Sequence, residues 1–296
     1  EASDVQGSAA KSKLSALDWD KWTVSANGYA TPKIYNIREY SAGSAWTGDV
    51  ALTYSGGDGS SSSPYMVNTA EELALMMTSA KAGECFALGA DIVINDTSKS
   101  DWTNSARQWF TSNDMPAFEG TLDGKGHSVS GIYYTGKQAG EYGGLIPVLG
   151  ANAAVKNITI KDSEFNGASK YTFGAVSGRV DDNSPKIIKL SAVTVKNSVE
   201  FKGGANVGGI IGKIGYSGVN INDCISETSG LFVSVEGQAN VKRCVSVGAY
   251  PFGDTNYIKA ENVYTDTNGA SLEGVTVLAN DEMKGDAAST NMAGLN

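Results

Sequence analysis

VKNITIKDS (155–163), LSAVTVKNS (190–198), INDCISETS (221–229), VKRCVSVGA (241–249) and ENVYTDT (261–267) are five short β-like runs whose mutual register decides the fold. Set one over another, they bring Ile158, Val193, Cys224, Cys244 and Val263 into one column, at spacings of 35, 31, 20 and 19 residues. That range suits the coils of a parallel β-helix. Each coil rises by one strand spacing, about 4.8 Å, and loops of unequal length are tolerated between strands. Like residues then stack along the axis. Glycine-flanked segments alternate with the runs: GGLIPVLG (143–150), FGAVSGRV (173–180) and VGGIIGKIG (207–215). Their small residues allow sharp corners. A β-sandwich is the rival architecture and needs hairpin turns between alternating strands. Asn166-Gly167 and Asn268-Gly269 are present, but neither sits between two such strands. The pattern reads as an all-β parallel β-helix, a solenoid.

Upstream of these coils the sequence predicts one helix, at about 70–82. Thr69 is its N-cap and Glu72 completes a capping box. Leu73, Met76 and Met77 share a face, and Gly83 can end it. Such a helix would cover the first rung, whose open edge otherwise invites aggregation. The β-helix domain is read as 65–296. Residues 41–64, rich in Gly and Ser, read as a linker or exposed loop. Residues 1–40 read as the tail of a preceding repeat or an N-terminal extension. The reason is GSAAKSKLSALD (7–18), which aligns without gaps on GDAASTNMAGLN (285–296). Gly7, Ala9, Ala10 and Leu17 match Gly285, Ala287, Ala288 and Leu295, an offset of 278 residues. Leu14 faces Met292, and Asp18 faces Asn296. This predicts one period of a tandem array.

Of the 296 residues 41% are hydrophobic and 19% charged, and 36 are glycine, a mixture for short strands and tight turns. The net charge of −9 lacks the basic patch that phosphate binding needs, so nucleic acid is excluded as a partner. No window approaches 18 uninterrupted apolar residues, so no membrane span is expected in this segment. No signal peptide is read, and a start at Glu1 fits a processed or excised form. Three cysteines, Cys85, Cys224 and Cys244, give neither a disulfide framework nor a metal spacing.

The segment from Pro64 to Gly215 carries a more specific pattern. It holds Leu88-Gly-Ala-Asp91-Ile92, then Phe118-Glu-Gly-Thr-Leu-Asp-Gly-Lys-Gly-His-Ser-Val-Ser-Gly-Ile132, then Gly143-Gly144-Leu145-Ile146. Gly208-Gly209-Ile210-Ile211-Gly212 looks like a second copy of the last. This resembles the GLUG-motif repeats of large Gram-positive and Bacteroidetes surface proteins. Those include non-catalytic parts of IgA-peptidase-type proteins and dockerin-bearing fibre-degradation proteins. About half the chain resembles the pattern directly. The resemblance implies a right-handed parallel β-helix, secretion or display at the cell surface, and no single activity. Beyond Gly215 the sequence departs from it.

Catalytic sets are thin. His127 is the only histidine, and it lies in the Asp123-Gly-Lys-Gly-His turn that the resemblance implies is structural. One histidine excludes a His-rich metal site. Gly174-Ala-Val-Ser177-Gly178 has the wrong spacing for a nucleophile elbow, and Gly124–Ser128 lacks the first glycine of a phosphate loop. β-Helix enzymes cleave acidic polysaccharides, and a lyase needs a cation and a base near the substrate carboxylate. Arg179, Asp181 and Asp182 could supply these, but Asn183-Ser184-Pro185 beside them is turn chemistry, and a solvated loop between coils is the favoured reading of the same residues. The Asn-Thr-Asp and Gly-His-Asp settings of polygalacturonases do not occur. Cys224 and Cys244 fall at stacked positions, where either a disulfide or two buried thiols would fit.

Aromatic residues give the best lead to a ligand. Trp102 and Trp109 lie in a polar insertion, 98–116, Trp46 lies in the Gly/Ser-rich loop, and Tyr133 and Tyr134 flank the next coil. An exposed planar array can stack on sugar rings; the same residues can equally close the first coils of the core. Trp19 and Trp22 read as structural. The expected function is a non-catalytic extracellular structural or adhesive module, without cofactor or metal. Its expected partners are neighbouring repeats and polysaccharide or a host or cell-surface glycan. The alternatives are a carbohydrate-binding module using these aromatics and a polysaccharide lyase or hydrolase.

Overall fold

A computed structural model describes residues 22–24, 30–32, 40–110, 115–135, 141–168, 170–181, 187–253, 255–269 and 271–295. The chain divides into two compact units, Glu1–Tyr40 and Ser41–Asn296. In the first, Trp22–Val24 pairs antiparallel with Ala30–Pro32. The repeat-like stretch 7–18 and Trp19 lie outside the described residues.

The second unit is a parallel β-helix. Its longest sheet runs through 65–67, 85–88, 121–123, 154–161, 188–195, 219–222, 239–246, 258–265 and 275–277, each strand parallel to the next. Inward-facing residues form a column: Tyr65, Phe86, Leu122, Val155, Leu190, Ile221, Val241, Ala260. A second column holds Ile158, Val193, Cys224, Cys244 and Val263, all buried. The spacings of 35, 31, 20 and 19 residues are those that the five sequence runs predict.

Each long strand bends in its middle. Asn157, Ala192, Asp223, Arg243 and Asn262 occupy the same place in successive coils, with φ of 54°, 51°, 57°, 49° and 55°. Strand side chains normally alternate with period two. A left-handed residue makes the chain skip one position. In Ala154–Lys161 the buried residues are therefore Val155, Ile158 and Ile160 rather than every second one. The corner turns one strand into two walls of the same core.

Three further sheets complete the larger coils. One stacks 133–134, 163–166 and 199–202; another 142–143, 172–174 and 206–208; the last 148–149, 177–180, 211–214 and 232–235. Beyond Gly215 the first two of these have no counterpart among the described residues, and the coils shorten. This is the physical content of the sequence's departure from pattern there. A third column of the main sheet changes character at the same point. Ile92, Val129, Ile160 and Val195 give way to Ser226, Ser246 and Thr265, each fully buried. The three hydroxyls donate to the carbonyls of Ser229 or Ala249 in the tightened turns. Buried carbonyls that would otherwise lack partners are thereby satisfied.

The Gly-Gly motifs have a steric cause. Gly144, Gly174 and Gly208 stack in register. A Cβ at Gly144 would lie 2.6 Å from the Gly174 carbonyl oxygen, and one at Gly208 would lie 1.8 Å from that of Ile211. No side chain fits at this corner.

The predicted helix, α1, spans Ala70–Ser79 and crosses from the strand 65–67 to the strand 85–88. Thr69 Oγ1 accepts the Glu72 N–H at 3.2 Å, and Glu72 accepts the Asn68 N–H at 2.6 Å. Leu73, Met76 and Met77 enter the core. The helix ends three residues short of the expected boundary. Ala80 leaves the helical region at ψ 135°, and Gly83, at φ 83°, serves the next turn. Residues 41–64 form a loop with contacts to the first coils. Glu71 accepts the Thr47 N–H and hydroxyl, both at 2.9 Å, and Glu72 accepts the Ser55 hydroxyl at 2.6 Å. Two carboxylates in the first helical turn, favourable to its dipole, hold the loop down.

Candidate functional site

The insertion between the strands 92–93 and 121–123 is anchored by a residue that sequence reasoning missed. The buried Asn95 donates to the carbonyls of Arg107 at 2.8 Å and Gly131 at 2.7 Å, and accepts the Arg107 N–H at 2.7 Å. Both ends of the loop 96–106 are thus fixed to the coil. The only available signal was an amide directly after the apolar run Ile92–Ile94, where the core would have to satisfy it.

Trp102 begins a short 3-10 turn, Trp102–Asn104, in this loop and is half-buried. Its ring meets Tyr133 edge-on, with centroids 5.7 Å apart. Two clefts share Trp102. One, of about 440 Å³, is lined by Trp46, Asp96, Lys99, Asp101, Asn104 and Arg107 among others. The other, of about 230 Å³, lies between Thr103 and the polar residues Asp162, Glu164, Glu200 and Lys202. The Ser98 hydrogen bonds hold the Asp96 carboxyl below its usual range. Lys202 bridges Glu164 at 2.8 Å and Glu200 at 2.9 Å, and these bonds raise its pKa. A half-exposed indole beside fixed carboxylates, amides and cations can take a ring with several hydroxyls.

The other predicted aromatic contacts divide. Tyr133 is half-buried beside Trp102. Trp109 and Tyr134 are inside the core, 2% and 1% exposed, so the expectation that they present free faces is corrected. Trp109 donates its Nε1–H to the Leu145 carbonyl at 2.9 Å, and Tyr134 packs on Phe173 with centroids 5.1 Å apart. The insertion folds back along the coil, with the Trp109 N–H on the Tyr133 carbonyl, and this drives the indole inward. Trp46 is half-buried. It packs edge-on to Trp109 at 5.0 Å and donates to the Asp49 carbonyl at 2.7 Å. It borders the larger cleft.

Arg179, on the strand 177–180, donates to the Tyr142 hydroxyl at 2.8 Å and lies over that ring at 5.1 Å. Asp181 follows the strand, with its backbone bonded to Leu149 and Ser217. Asp182 lies outside the described residues. His127 Nδ1 stands 3.4 Å from Asp91. Among the described residues no group of three or more His, Cys, Asp or Glu could hold a metal ion. No described helix is long and apolar enough to cross a membrane. Cys224 and Cys244 are free thiols.

No family model matches the chain. It is similar to halomucin of Haloquadratum walsbyi, 27% identical over 168 residues, which is 55% of this chain and 2% of halomucin. The chain therefore spans a very small part of that relative. A solved structure of a Bacteroides ovatus protein named after immunoglobulin A1 protease is similar with a TM-score of 0.46 and 17% identity, over 80% of this chain and 90% of that one.

Proposed function

We propose that this chain is a secreted, non-catalytic structural and adhesive module of a surface protein, a β-helical spacer of the GLUG-motif kind that displays other parts of its parent. The observation that carries the reading is the unbroken stacking of the main sheet from Tyr65 to Val275, with the stacked glycines and the Asp91–His127 contact serving the coils themselves. Arg179, the cation a lyase would need, donates to the Tyr142 hydroxyl and lies over its ring. Likeness to a protein named as a mucin supports an extracellular place. Antibody raised against the chain should label intact producing cells, and labelling only after lysis would overturn the placement. The purified chain, given uronate polymers and Ca²⁺, should release neither unsaturated products nor reducing ends. Release that Asp181→Asn abolishes would overturn the non-catalytic reading.

A second reading is favoured by Trp102, which lines the larger cleft and meets Tyr133 edge-on: adhesion by stacking on polysaccharide. The chain should be retained on an insoluble polysaccharide, and Trp102→Ala should release it. Trp109→Ala cannot serve as a parallel test, because it opens the core. Equal retention of wild type and Trp102→Ala would end this reading.

A further inference from the structure

Glu164 is a buried wall of the smaller cleft. It stands on the strand Ser163–Asn166, between Tyr133 in the coil before and Glu200 in the coil after. The residue is 8% exposed. Lys202 holds its Oε2 at 2.8 Å, and no described residue donates to its Oε1. A buried carboxylate oxygen without a donor is costly unless water or a ligand supplies one. This oxygen is not among the described atoms sealed in without a partner. Glu164 lines the cleft of about 230 Å³ that also holds Trp102 and Thr103.

The charges around it are unequal. Asp162, Glu164 and Glu200 line this cleft with Lys202, three carboxylates to one ammonium. In the larger cleft, which Trp102 also lines, Asp96 and Asp101 are balanced by Lys99 and Arg107. The excess of carboxylate works against a uronate, because like charges brought together discriminate against the wrong partner. A metal ion does not answer it, since among the described residues no group of three or more such side chains could hold one. An organic ammonium does: it brings N–H donors, and its hydrogen bonds to a carboxylate are charge-assisted. The half-buried Trp102 supplies a flat apolar face for the skeleton that carries the ammonium.

We propose that the smaller cleft takes an amino sugar, a hexosamine unit whose ammonium donates to Glu164 Oε1 while its ring lies on Trp102. The polysaccharide bound is then a de-acetylated, cationic one. The proposal rests on the reading of Trp102 as a polysaccharide contact and names the sugar class. N-acetylation would remove the charge and leave Glu164 a single neutral amide donor. A lysine-rich peptide would match the charge equally, but it has no ring to set against the indole.

Titration calorimetry of the full chain at pH 6, where the sugar amine is protonated, tests it with hexamers of glucosamine, N-acetylglucosamine and galacturonate. The glucosamine hexamer should bind at least about tenfold more tightly than the N-acetylated one, a difference of about 1.4 kcal/mol, and the galacturonate hexamer should not bind. Glu164→Gln should remove the preference. Glu261→Gln, the same change of charge several coils along the main sheet, should keep it. Should Glu164→Gln fail to fold, Asp162→Asn replaces it, because asparagine accepts the left-handed backbone there, at φ 47°, and it should narrow the preference. Equal binding of the two glucosamine-type hexamers, or a preference that survives these cleft variants, overturns the amino-sugar assignment. So does a hexalysine peptide that binds as tightly as the glucosamine hexamer and is unaffected by Trp102→Ala. Binding of no hexamer overturns it too. Whether the stacking reading falls with it is read separately, from Trp102-dependent retention on insoluble neutral polysaccharide, which needs no ammonium.

Discussion

The Oδ1 of Asp91 accepts the Ser128 N–H at 2.8 Å and stands 3.4 Å from His127 Nδ1, joining the stretch Leu88–Ile92 to the turn that ends at His127. The Ser128 hydrogen bond is the main reason the Asp91 carboxyl sits below its usual pKa. It satisfies a backbone donor at the start of the strand Ser128–Ser130, just where the preceding turn leaves the ladder. Asp91→Ala should therefore lower stability by about 0.5–1.5 kcal/mol. His127→Ala should cost less, about 0–1 kcal/mol, because its contact with Asp91 is solvated. Urea denaturation checks both. A larger loss for His127→Ala would assign the histidine a role this geometry does not give it.

Asp123 makes a pH prediction. It is 7% exposed, and burial by itself would raise its pKa. Bonds from the Asn157 amide at 2.9 Å and the Lys125 N–H at 3.0 Å, with Lys125 and Lys156 ammonium groups each at 3.3 Å, outweigh burial and bring it to about 2. The folded pKa is depressed, so the stabilisation is fully present above the unfolded value of 3.8 and is lost as pH falls toward 2. From the size of the shift the contribution is about 1–2 kcal/mol. Urea midpoints measured between pH 5 and pH 2 should fall more steeply in the wild type than in Asp123→Asn. Parallel curves would show that the cluster contributes nothing across this window.

The contrast between these two residues shows what was legible. The register of the main strands could be read because a parallel coil repeats one inward apolar position per turn, and Val155, Leu190, Ile221 and Val241 keep it despite unequal loops. Trp109 could not be placed, because side-chain direction in an irregular insertion depends on how the Asn95 anchor folds it back. The end of α1 was misplaced because Gly83 looks like a stop, whereas the chain had already turned at Ala80 to reach the strand 85–88. Asp123 looked like one more turn residue. Only stacking brings Asn157, 34 positions away, onto its carboxylate.

Ala192 offers a stabilising change. It occupies the left-handed corner at φ 51° and is exposed, while two coils of the same column use asparagine, at positions 157 and 262. A left-handed conformation costs an alanine about 1–2 kcal/mol, and asparagine or glycine less. Ala192→Asn and Ala192→Gly should each raise stability, by about 0.5–1 kcal/mol. A thermal melt that is unchanged or lower for both would mean that the corner's strain is relieved in some other way.

The two stacked cysteines allow a last test. The Cys224 N–H points at Cys244 Sγ at 3.5 Å, and the thiols reach the carbonyls of Asn222 and Lys242 at 3.1 and 3.2 Å. Both residues are fully buried, and burial above all raises the Cys224 pKa. A thiol reacts as its thiolate, so both features suppress reactivity. Cys85 is only half-buried. Ellman's reagent should therefore find one reactive thiol in the native chain and all three in guanidinium, with the slow pair appearing at the rate of unfolding. Sequence spacing alone admits a disulfide here, since stacked strands bring both within reach, with two buried thiols the favoured reading. The columns decide between them: each sulfur already occupies an inward slot that Val193 and Val263 fill in adjoining coils, where a small apolar group packs without a bond. Detection of a single thiol in the denatured, unreduced chain would show a covalent link between the two coils and would replace that packing argument.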